Sequence, residues 1–276
     1  MSAPSDVRPD LSGPRGLSKT ELGTFDICNH KSWFQLHFPQ PWEPNERMSF
    51  GSALDAGVEV MVRSLASAKS PDIDDATDHA QVVIDRDGQP VDIDEVHHAL
   101  ARFPVDVAPR FNWTHAVTQP TLRAEIRGLG ASEGHPDIGL PDGILDVKGT
   151  TGKRAKEPDS LELGFYVLLS EAAGIPVDWV GYLEWRRGAP NGSLVTGVWR
   201  TPTMRVTDEF RRWTHERASA YVRAKRADRI LNEGMDEPMN FSFPNGPLYP
   251  WFCTDCPFNP AVGGPCAIAR REEAAA

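Results

Sequence analysis

Two short apolar runs separated by a tight turn constrain this chain most. The runs are residues 136–140 and 144–148, and Pro141-Asp142-Gly143 lies between them. Proline followed by aspartate and glycine is a turn signature, and apolar runs on both sides of such a turn predict a β-hairpin. The hairpin would place Asp137 and Asp146 on neighbouring strands, where their side chains can converge.

The patterns on either side of this hairpin predict several helices and further strands. The first predicted helix starts at the capping box Ser18-Lys19-Thr20-Glu21 and turns inward the residues Leu22, Phe25, Cys28, Trp33 and Leu36. Further helices are predicted at about 50–68 and 93–102, from Ser160 to Ala173, and at about 206–231. Strands are predicted at 122–126, 136–140, 144–148, 179–185 and 193–199. The Asp-rich residues 71–95 are interpreted as a solvated excursion. Helices followed by a β-meander, a helix, strands and a last helix indicate an α/β core with a helical flank.

The composition excludes some classes of protein. The chain has no apolar run of about 18 residues, so a membrane span is not expected. Residues 1–16 are polar and rich in Pro, Ser and Gly, which predicts a disordered tail and not a secretory signal. We therefore expect a cytoplasmic protein, whose cysteines stay reduced and bind a metal or a cluster more readily than they form disulfides.

The charge of the chain is negative overall but uneven. A net charge of −10 is unfavourable for binding nucleic acid, because phosphates attract Lys and Arg. The stretch 205–229 nevertheless contains eight basic residues, namely Arg205, Arg211, Arg212, Arg217, Arg223, Lys225, Arg226 and Arg229. Two interpretations stay open: a local basic surface that holds DNA, or the solvated face of an ordinary helix.

The hairpin carries the residue types that phosphodiester hydrolysis requires. Carboxylate oxygens hold a divalent ion that polarises the phosphate and activates water, and a cation stabilises the charge that develops on the phosphate. Positions i and i+2 of a strand share a face, so Asp146 and Lys148 are expected side by side. Asp137 can converge on them from the neighbouring strand, and the carbonyl of Val147 is a further candidate ligand. The plainer alternative is a pair of turn aspartates and a surface lysine.

Four cysteines lie near the two ends of the chain. Cys28 stands alone, Cys253 and Cys256 form a Cys-x-x-Cys, and Cys266 follows after nine residues. Four thiolates suit either zinc or a [4Fe–4S] cluster, and free buried thiols are the third possibility. A shared site requires the two ends of the chain to meet.

The hairpin motif resembles the RecB-like branch of the PD-(D/E)XK nuclease superfamily. Asp137 matches the first aspartate of that pattern, and Asp146 and Lys148 match its Asp-x-Lys. The resemblance implies an α/β fold with a restriction-endonuclease-like PD-(D/E)XK core, in which a central mixed sheet is flanked by helices. It also implies metal-dependent cleavage of DNA.

Two positions depart from the pattern of that family. The family carries Gln-x-x-x-Tyr on a helix near the site, where this chain has Glu162 and Tyr166. It also carries a His four residues after a Gly, where this chain has Asp55 after Gly51. Aspartate is a competent ligand for hard ions, so an all-carboxylate site would favour Mg²⁺ or Mn²⁺ over softer metals. The alternative is a catalytically decayed site in an iron–sulfur DNA-binding or adaptor module.

Together these residues give a candidate site. The candidate metal ligands are Asp55, Asp137, Asp146 and the carbonyl of Val147, and the candidate catalytic residues are Asp137, Asp146, Lys148, Glu162 and Tyr166. On the family pattern, Glu162 and Tyr166 orient Lys148 or the phosphate.

The cysteine pattern is similar to that of the CRISPR-associated exonucleases of the Cas-four type and their phage relatives. Those proteins place one Cys before the nuclease core and three after it, as Cys28 and the later Cys253, Cys256 and Cys266 do here. The opening residues 17–22 and the pair Trp33-Phe34 are also similar. The resemblance implies a structural [4Fe–4S] cluster on these four cysteines, although the last spacing is longer here than is usual in that family.

This resemblance also implies an activity and a division of the chain. The implied activity is a Mg²⁺- or Mn²⁺-dependent exonuclease with 5′ to 3′ polarity on single-stranded DNA ends, in recombination, repair or CRISPR-type adaptation. The implied partners are DNA, recombination or CRISPR-adaptation proteins and further copies of the chain. After the tail, residues 17–276 would form one domain, with a helical part at 17–105, a nuclease core at 106–235 and a cluster-binding segment at 236–270.

Overall fold

The computed structural model describes residues 17–37, 43–152, 154–187, 197–231 and Cys256. The helices are α1 (Lys19–Ile27), α2 (Asn29–His37), α3 (Glu46–Ala66), α4 (Ile73–Asp87), α5 (Ile93–Asp106), α6 (Leu161–Ala172) and α7 (Asp208–Leu231), with a short 3₁₀ turn at Ala108–Arg110. The strands are β1 (Val117–Thr118), β2 (Leu122–Ile126), β3 (Gly130–Gly134), β4 (Ile138–Gly139), β5 (Gly143–Thr150), β6 (Trp179–Arg186), β7 (Val198–Arg200) and β8 (Thr203–Arg205).

The first helix begins at the capping box that the sequence predicts. The Ser18 side chain accepts a hydrogen bond from the Glu21 N–H, and the Glu21 carboxylate accepts one from the Ser18 N–H. The single predicted helix is in fact two, because Cys28 adopts an extended backbone with φ −155° and ends α1. In the second helix Trp33 is buried as expected, but Leu36, near the end of that helix, is 37% exposed.

Helices α3, α4 and α5 form a layer on one side of the main sheet. Helix α3 begins four residues earlier than predicted, because Asn45 caps it through the Met48 N–H. The prediction of a solvated excursion at 71–95 was wrong, since α4 lies there. Its apolar residues Ala76, Ala80 and Ile84 are buried. Their i, i+4, i+8 spacing places them on one face of the helix, and several aspartates lie elsewhere on it.

The main sheet has the order β1-β4-β5-β6-β7, and β8 also pairs with β6. The predicted hairpin is confirmed, because β4 and β5 are antiparallel with Ile138 opposite Leu145. Strands β5 and β6 are parallel and joined through α6, so the sheet is mixed. Of the predicted strand at 193–199, residues 193–196 lie outside the described residues, and β7 begins at Val198.

The predicted meander was wrong at its first strand. Strand β2 pairs with β3 in a separate two-stranded sheet, and neither strand joins the main sheet. Gly128, in the turn between these strands, and Gly130, the first residue of β3, have positive φ values of 83° and 98°, which glycine adopts without strain. Strand β3 was not predicted because its sequence, Gly-Ala-Ser-Glu-Gly, has little β propensity.

Two hydrophobic cores lie on opposite faces of the main sheet. On β5, Ile144 packs with α1, α6 and α7, whereas Leu145 and Val147 pack with α3 and α5. Because side chains alternate along a strand, Asp146 and Lys148 share the face of Ile144. None of the helices in the described ranges is long and apolar enough to cross a lipid bilayer.

The close approach of α6 to α7 gives a test of this packing. A Cβ on Gly164 of α6 would lie 2.1 Å from the Oγ1 of buried Thr214 on α7. We expect Gly164→Ala to lower the free energy of unfolding by about 1–3 kcal/mol through overpacking. The matched change Gly23→Ala in α1 meets open space and should raise it by about 0.5–1 kcal/mol. Urea denaturation of both variants checks the pair, and equal effects would contradict the packing.

Candidate active site

Three aspartates from three parts of the fold lie near the end of the β4–β5 hairpin that is opposite its turn. Asp146 lies on β5, Asp137 directly precedes β4, and Asp55 lies on α3. Because Ile138 pairs with Leu145 in the antiparallel hairpin, the register sets Asp137 opposite Asp146. The Asp146 side chain is fully buried, which is costly for a carboxylate unless charges or hydrogen bonds compensate for its lost hydration.

Two lysines compensate for the burial of Asp146. Lys148 Nζ lies 2.5 Å from Asp146 Oδ2, on the shared strand face that the sequence predicts. Lys19 Nζ, from the first residue of α1, donates to Asp146 Oδ1 at 3.0 Å. Burial alone would raise the pKa of Asp146, but Lys148 and Lys19 outweigh it and hold that pKa below its usual value. The two ammonium groups therefore favour the ionised form of this buried carboxylate.

The pKa values of Asp137 and Asp55 are shifted in the opposite direction, upward. Burial, followed by the charges of Asp146 and Asp55, raises the pKa of Asp137 to about 8. Burial, followed by the charges of Asp146 and Glu59, raises the pKa of Asp55 to about 6. These are the effects of crowding carboxylates at low dielectric without enough positive charge.

One oxygen of each of these two carboxylates is already fixed by the protein. The Val147 N–H donates to Asp137 Oδ2 at 2.7 Å. The Gln119 side-chain amide donates to Asp55 Oδ2 at 3.0 Å, and the Gln119 N–H donates to the Asp137 carbonyl at 2.8 Å. Gln119 has a φ of 45°, a left-handed conformation unusual for a residue other than glycine. It therefore holds Asp55 and Asp137 together at the expense of backbone strain.

Glu162 and Tyr166 lie on the first turns of α6, which Ser160 caps. The Glu162 carboxylate makes ion pairs with Lys19 and with Lys148, the latter at 3.3 Å. The Tyr166 hydroxyl donates to the His135 carbonyl at 2.7 Å. Glu162 is thus an ion-pair partner of Lys148. Tyr166 instead anchors the chain just before Asp137.

Three residues near the site were missed by the sequence analysis: Lys19, Gln119 and Lys156. Lys156 Nζ lies 3.9 Å from Glu162 Oε2 and over the ring of Tyr182, and burial, followed by the charge of Lys148, lowers its pKa. Lys19 sits inside the capping-box motif, so its sequence signal was read only as a helix start. Gln119 and Lys156 come from loops, and no local pattern marks them.

The donor set suits a hard divalent ion in its chemistry. Asp55, Asp137 and Asp146 supply carboxylate oxygens, and a cation among them would relieve the repulsion that raises the pKa values of two of them. Asp146 Oδ2 is also buried without a hydrogen bond, because its contact with Lys148 lacks hydrogen-bond angles. In the described ranges, however, no three His, Cys, Asp or Glu side chains are already arranged around a common point as metal ligands.

Two of the four cysteines fall within the described residues, and Cys253 and Cys266 lie outside them. Cys28 is buried at the junction of α1 and α2, and the Lys31 N–H donates to its Sγ at 3.4 Å. Cys256 packs against the core that holds Leu22 and Trp33. Cys256 therefore lies against the same hydrophobic core to which α1 and α2 contribute.

The basic helix α7 is used in part for packing. Lys225 pairs with Glu21 at 2.9 Å, and Arg217 pairs with Asp26, so both residues bind α7 to α1. Arg211 pairs with Glu171 of α6 at 2.8 Å. These contacts favour a structural role for at least three of the eight basic residues.

The raised pKa of Asp137 predicts a pH dependence in the metal-free protein. Its folded value of about 8 lies above the unfolded value of about 3.9, so the folded state holds the extra proton between them. The free energy of unfolding should therefore fall as pH rises from 5 to 8. Asp137→Asn should reduce this fall by more than about 1.4 kcal/mol, the equivalent of one pKa unit.

Thermal denaturation in EDTA at both pH values measures this effect. Asp142→Asn, in the exposed turn of the same hairpin, is the control and should leave the fall unchanged. The assignment of the proton to Asp137 fails if both variants behave alike.

Comparison with solved structures finds this fold in another protein. A protein from Eubacterium rectale, described provisionally as an exonuclease, matches with a TM-score of 0.55 over 80% of this chain and 83% of its own, at 12% identity. LHK-Exo in complex with dAMP matches with a TM-score of 0.31 at 14% identity, over 66% of this chain and 94% of its own. SSO0001 matches with a TM-score of 0.33 at 14% identity, over 90% of this chain and 95% of its own. Both TM-scores are too low to show a shared fold. No protein-family model and no curated protein matches the sequence. The first match shows that the two chains share a mixed α/β fold.

Proposed function

We propose that this chain is a Mg²⁺- or Mn²⁺-dependent deoxyribonuclease that degrades DNA from single-stranded ends. The observation that carries the proposal is the buried Asp146 paired with Lys148 and Lys19, with Asp137 opposite it in the hairpin register. The charge of Asp146 raises the pKa values of Asp137 and Asp55. The fold is shared with a protein described provisionally as an exonuclease, which supports the same assignment.

In this proposal Asp55, Asp137 and Asp146 hold the divalent ion, together with the carbonyl of Val147. The bound ion supplies Lewis acidity toward the phosphate and lowers the pKa of bound water. Asp55 takes the place where the related pattern has histidine. Its partly buried position and its interaction with Asp146 favour a ligand over a residue left behind in a decayed site.

The protein side chains supply the positive charge and the positioning. Lys148 stabilises the negative charge that develops on the phosphate oxygens. In the protein without DNA, Glu162 lies 3.3 Å from Lys148 and holds that ammonium group in place. Tyr166 acts one step away from the reaction, because its bond to the His135 carbonyl holds the residues that lead into Asp137.

An adaptor without catalysis is the second candidate. The observation in its favour is that Lys19 and Lys148 already neutralise Asp146, so the site is balanced in part without a metal ion. Such a module would bind DNA ends and present them to recombination or CRISPR-adaptation proteins.

Cleavage of end-labelled single-stranded DNA with Mn²⁺ or Mg²⁺ distinguishes the two. We expect the wild type to release label, and Asp146→Asn and Lys148→Met to be slower by about 100-fold or more, since each removes a group that acts on the transition state. Asp142→Asn is the control on the same hairpin and should keep full activity.

The choice of labelled end reports the polarity, for which 5′ to 3′ is the proposed direction. Folded wild type that binds DNA but never cleaves it would leave the adaptor as the function. A hydrodynamic measurement on the same sample gives the oligomeric state, where a homo-oligomer is proposed.

The second part of the proposal is a structural [4Fe–4S] cluster on Cys28, Cys253, Cys256 and Cys266. Its support is the burial of Cys28, the backbone N–H directed at its sulfur, and the packing of Cys256 on the same core as Leu22 and Trp33. Hydrogen bonds to sulfur are among the means by which proteins tune such clusters. The cluster would join the two ends of the chain beside the catalytic domain.

Anaerobic purification tests the cluster. We expect a brown protein with broad visible absorbance and about four iron atoms per chain, and a colourless Cys28→Ser variant that unfolds at lower temperature. A colourless wild type that contains zinc would contradict the cluster and favour the zinc alternative.

A further inference from the structure

We propose that Lys19, Lys148 and Lys156 form a phosphate-binding site for the DNA backbone, and that in the free protein the Glu162 carboxylate occupies the position of that phosphate. This inference rests on the proposed function, since it assumes that the ligand is DNA. It adds two binding residues, Lys19 and Lys156, and it gives Glu162 the role of an internal competitor.

The geometry of the cluster comes first. Three ammonium groups from three elements, α1, β5 and the loop before α6, meet at one carboxylate. Lys19 pairs with Glu162 Oε1, Lys148 lies 3.3 Å from the same oxygen, and Lys156 lies 3.9 Å from Oε2. The three ammonium groups therefore share Glu162 as a common partner, and two of them, Lys19 and Lys148, also pair with the buried Asp146.

Contacts with strand β6 fix the position of Lys156. Its N–H donates to Glu184 Oε2 at 3.2 Å, and Glu184 is buried on β6 with Arg200 as its ion-pair partner. The Lys156 ammonium lies 4.7 Å from the centre of the Tyr182 ring, a distance at which a cation and an aromatic face attract. The loop therefore presents this lysine toward Glu162.

The cluster is accessible to a ligand. The side chains of Lys19, Lys148 and Lys156 are 25%, 29% and 46% exposed, and that of Glu162 is 18% exposed. Like charges held this close together repel one another and need an anion that bridges them. A phosphodiester carries the same single negative charge as the carboxylate and also offers two oxygens, so it can replace Glu162 without changing the balance.

The overall charge makes such a site necessary for binding a polyanion. A net charge of −10 opposes the approach of DNA, and part of the basic helix is already paired with α1 and α6. A compact group of three lysines next to the carboxylates would draw the backbone to the place where Asp146 lies.

The inference predicts opposite signs for the cluster residues. Glu162→Gln removes the competing charge and should tighten binding of single-stranded DNA by about fivefold or more, whereas Lys19→Met and Lys156→Met should weaken it by about tenfold. Each lysine change should also lower the salt slope of binding by about 0.7. If Glu162 only positioned its neighbours, its loss would weaken binding instead.

Fluorescence anisotropy of a labelled oligothymidylate of about 15 nucleotides, in EDTA so that no cleavage occurs, makes the measurement. The matched controls are Glu171→Gln, at the far end of α6 in a pair with Arg211, and Lys69→Met, exposed beyond α3; both should bind as the wild type does. Circular dichroism confirms folding, and Lys19→Arg should restore most of the affinity.

Each outcome bears on the inference. Tighter binding by Glu162→Gln together with weaker binding by both lysine variants supports it. It is overturned if Glu162→Gln binds equally or more weakly, if both lysine variants match the wild type, or if the wild type does not bind the oligonucleotide. Failure of the nuclease proposal looks different, because the wild type would then show this binding pattern and no cleavage with metal.

Discussion

The burial of a charged Asp146 on the central strand is the constraint on which the rest of this structure depends. A carboxylate without access to water needs cations, and it has Lys148 from its own strand and Lys19 from α1. Helix α1 is therefore bound to the hairpin at its first residue, and the capping box of Ser18 and Glu21 fixes the helix at that point. The ion pairs of Asp146 therefore join α1 to the central strand β5.

Helix α1 also binds α7, the last helix of the described residues. Helix α1 pairs with Asp146 at its start, with α7 through Glu21 and Asp26, and ends at the buried Cys28. In the adjoining α2, the Trp33 indole donates to Asp228 near the end of α7 at 2.6 Å. The candidate site and the proposed cluster region thus share helix α1. Unfolding of α1 at one of these sites would therefore disturb the other.

The sequence predicts what depends on neighbouring residues and little of what depends on distant ones. The hairpin, the capping box and the helices at α5, α6 and α7 follow from turn chemistry and periodicity, and so does the shared face of Asp146 and Lys148. Lys19, Gln119 and Lys156 reach the site only through the folded chain. The capping box marks Lys19 as the start of a helix but not as a site residue, and no local pattern marks the other two. Helix α4 was missed because its narrow Ala76–Ala80–Ile84 stripe is surrounded by acidic residues.

The central claim is that the three aspartates form a site for a divalent ion. The most direct test is titration of the protein with Mn²⁺, in which electron paramagnetic resonance counts the free ion. We predict that the wild type removes one equivalent of Mn²⁺ from solution and that Asp146→Asn and Asp137→Asn do not, while Asp142→Asn binds as the wild type does. Failure of the folded wild type to bind Mn²⁺, or equal binding by all the variants, would contradict the account.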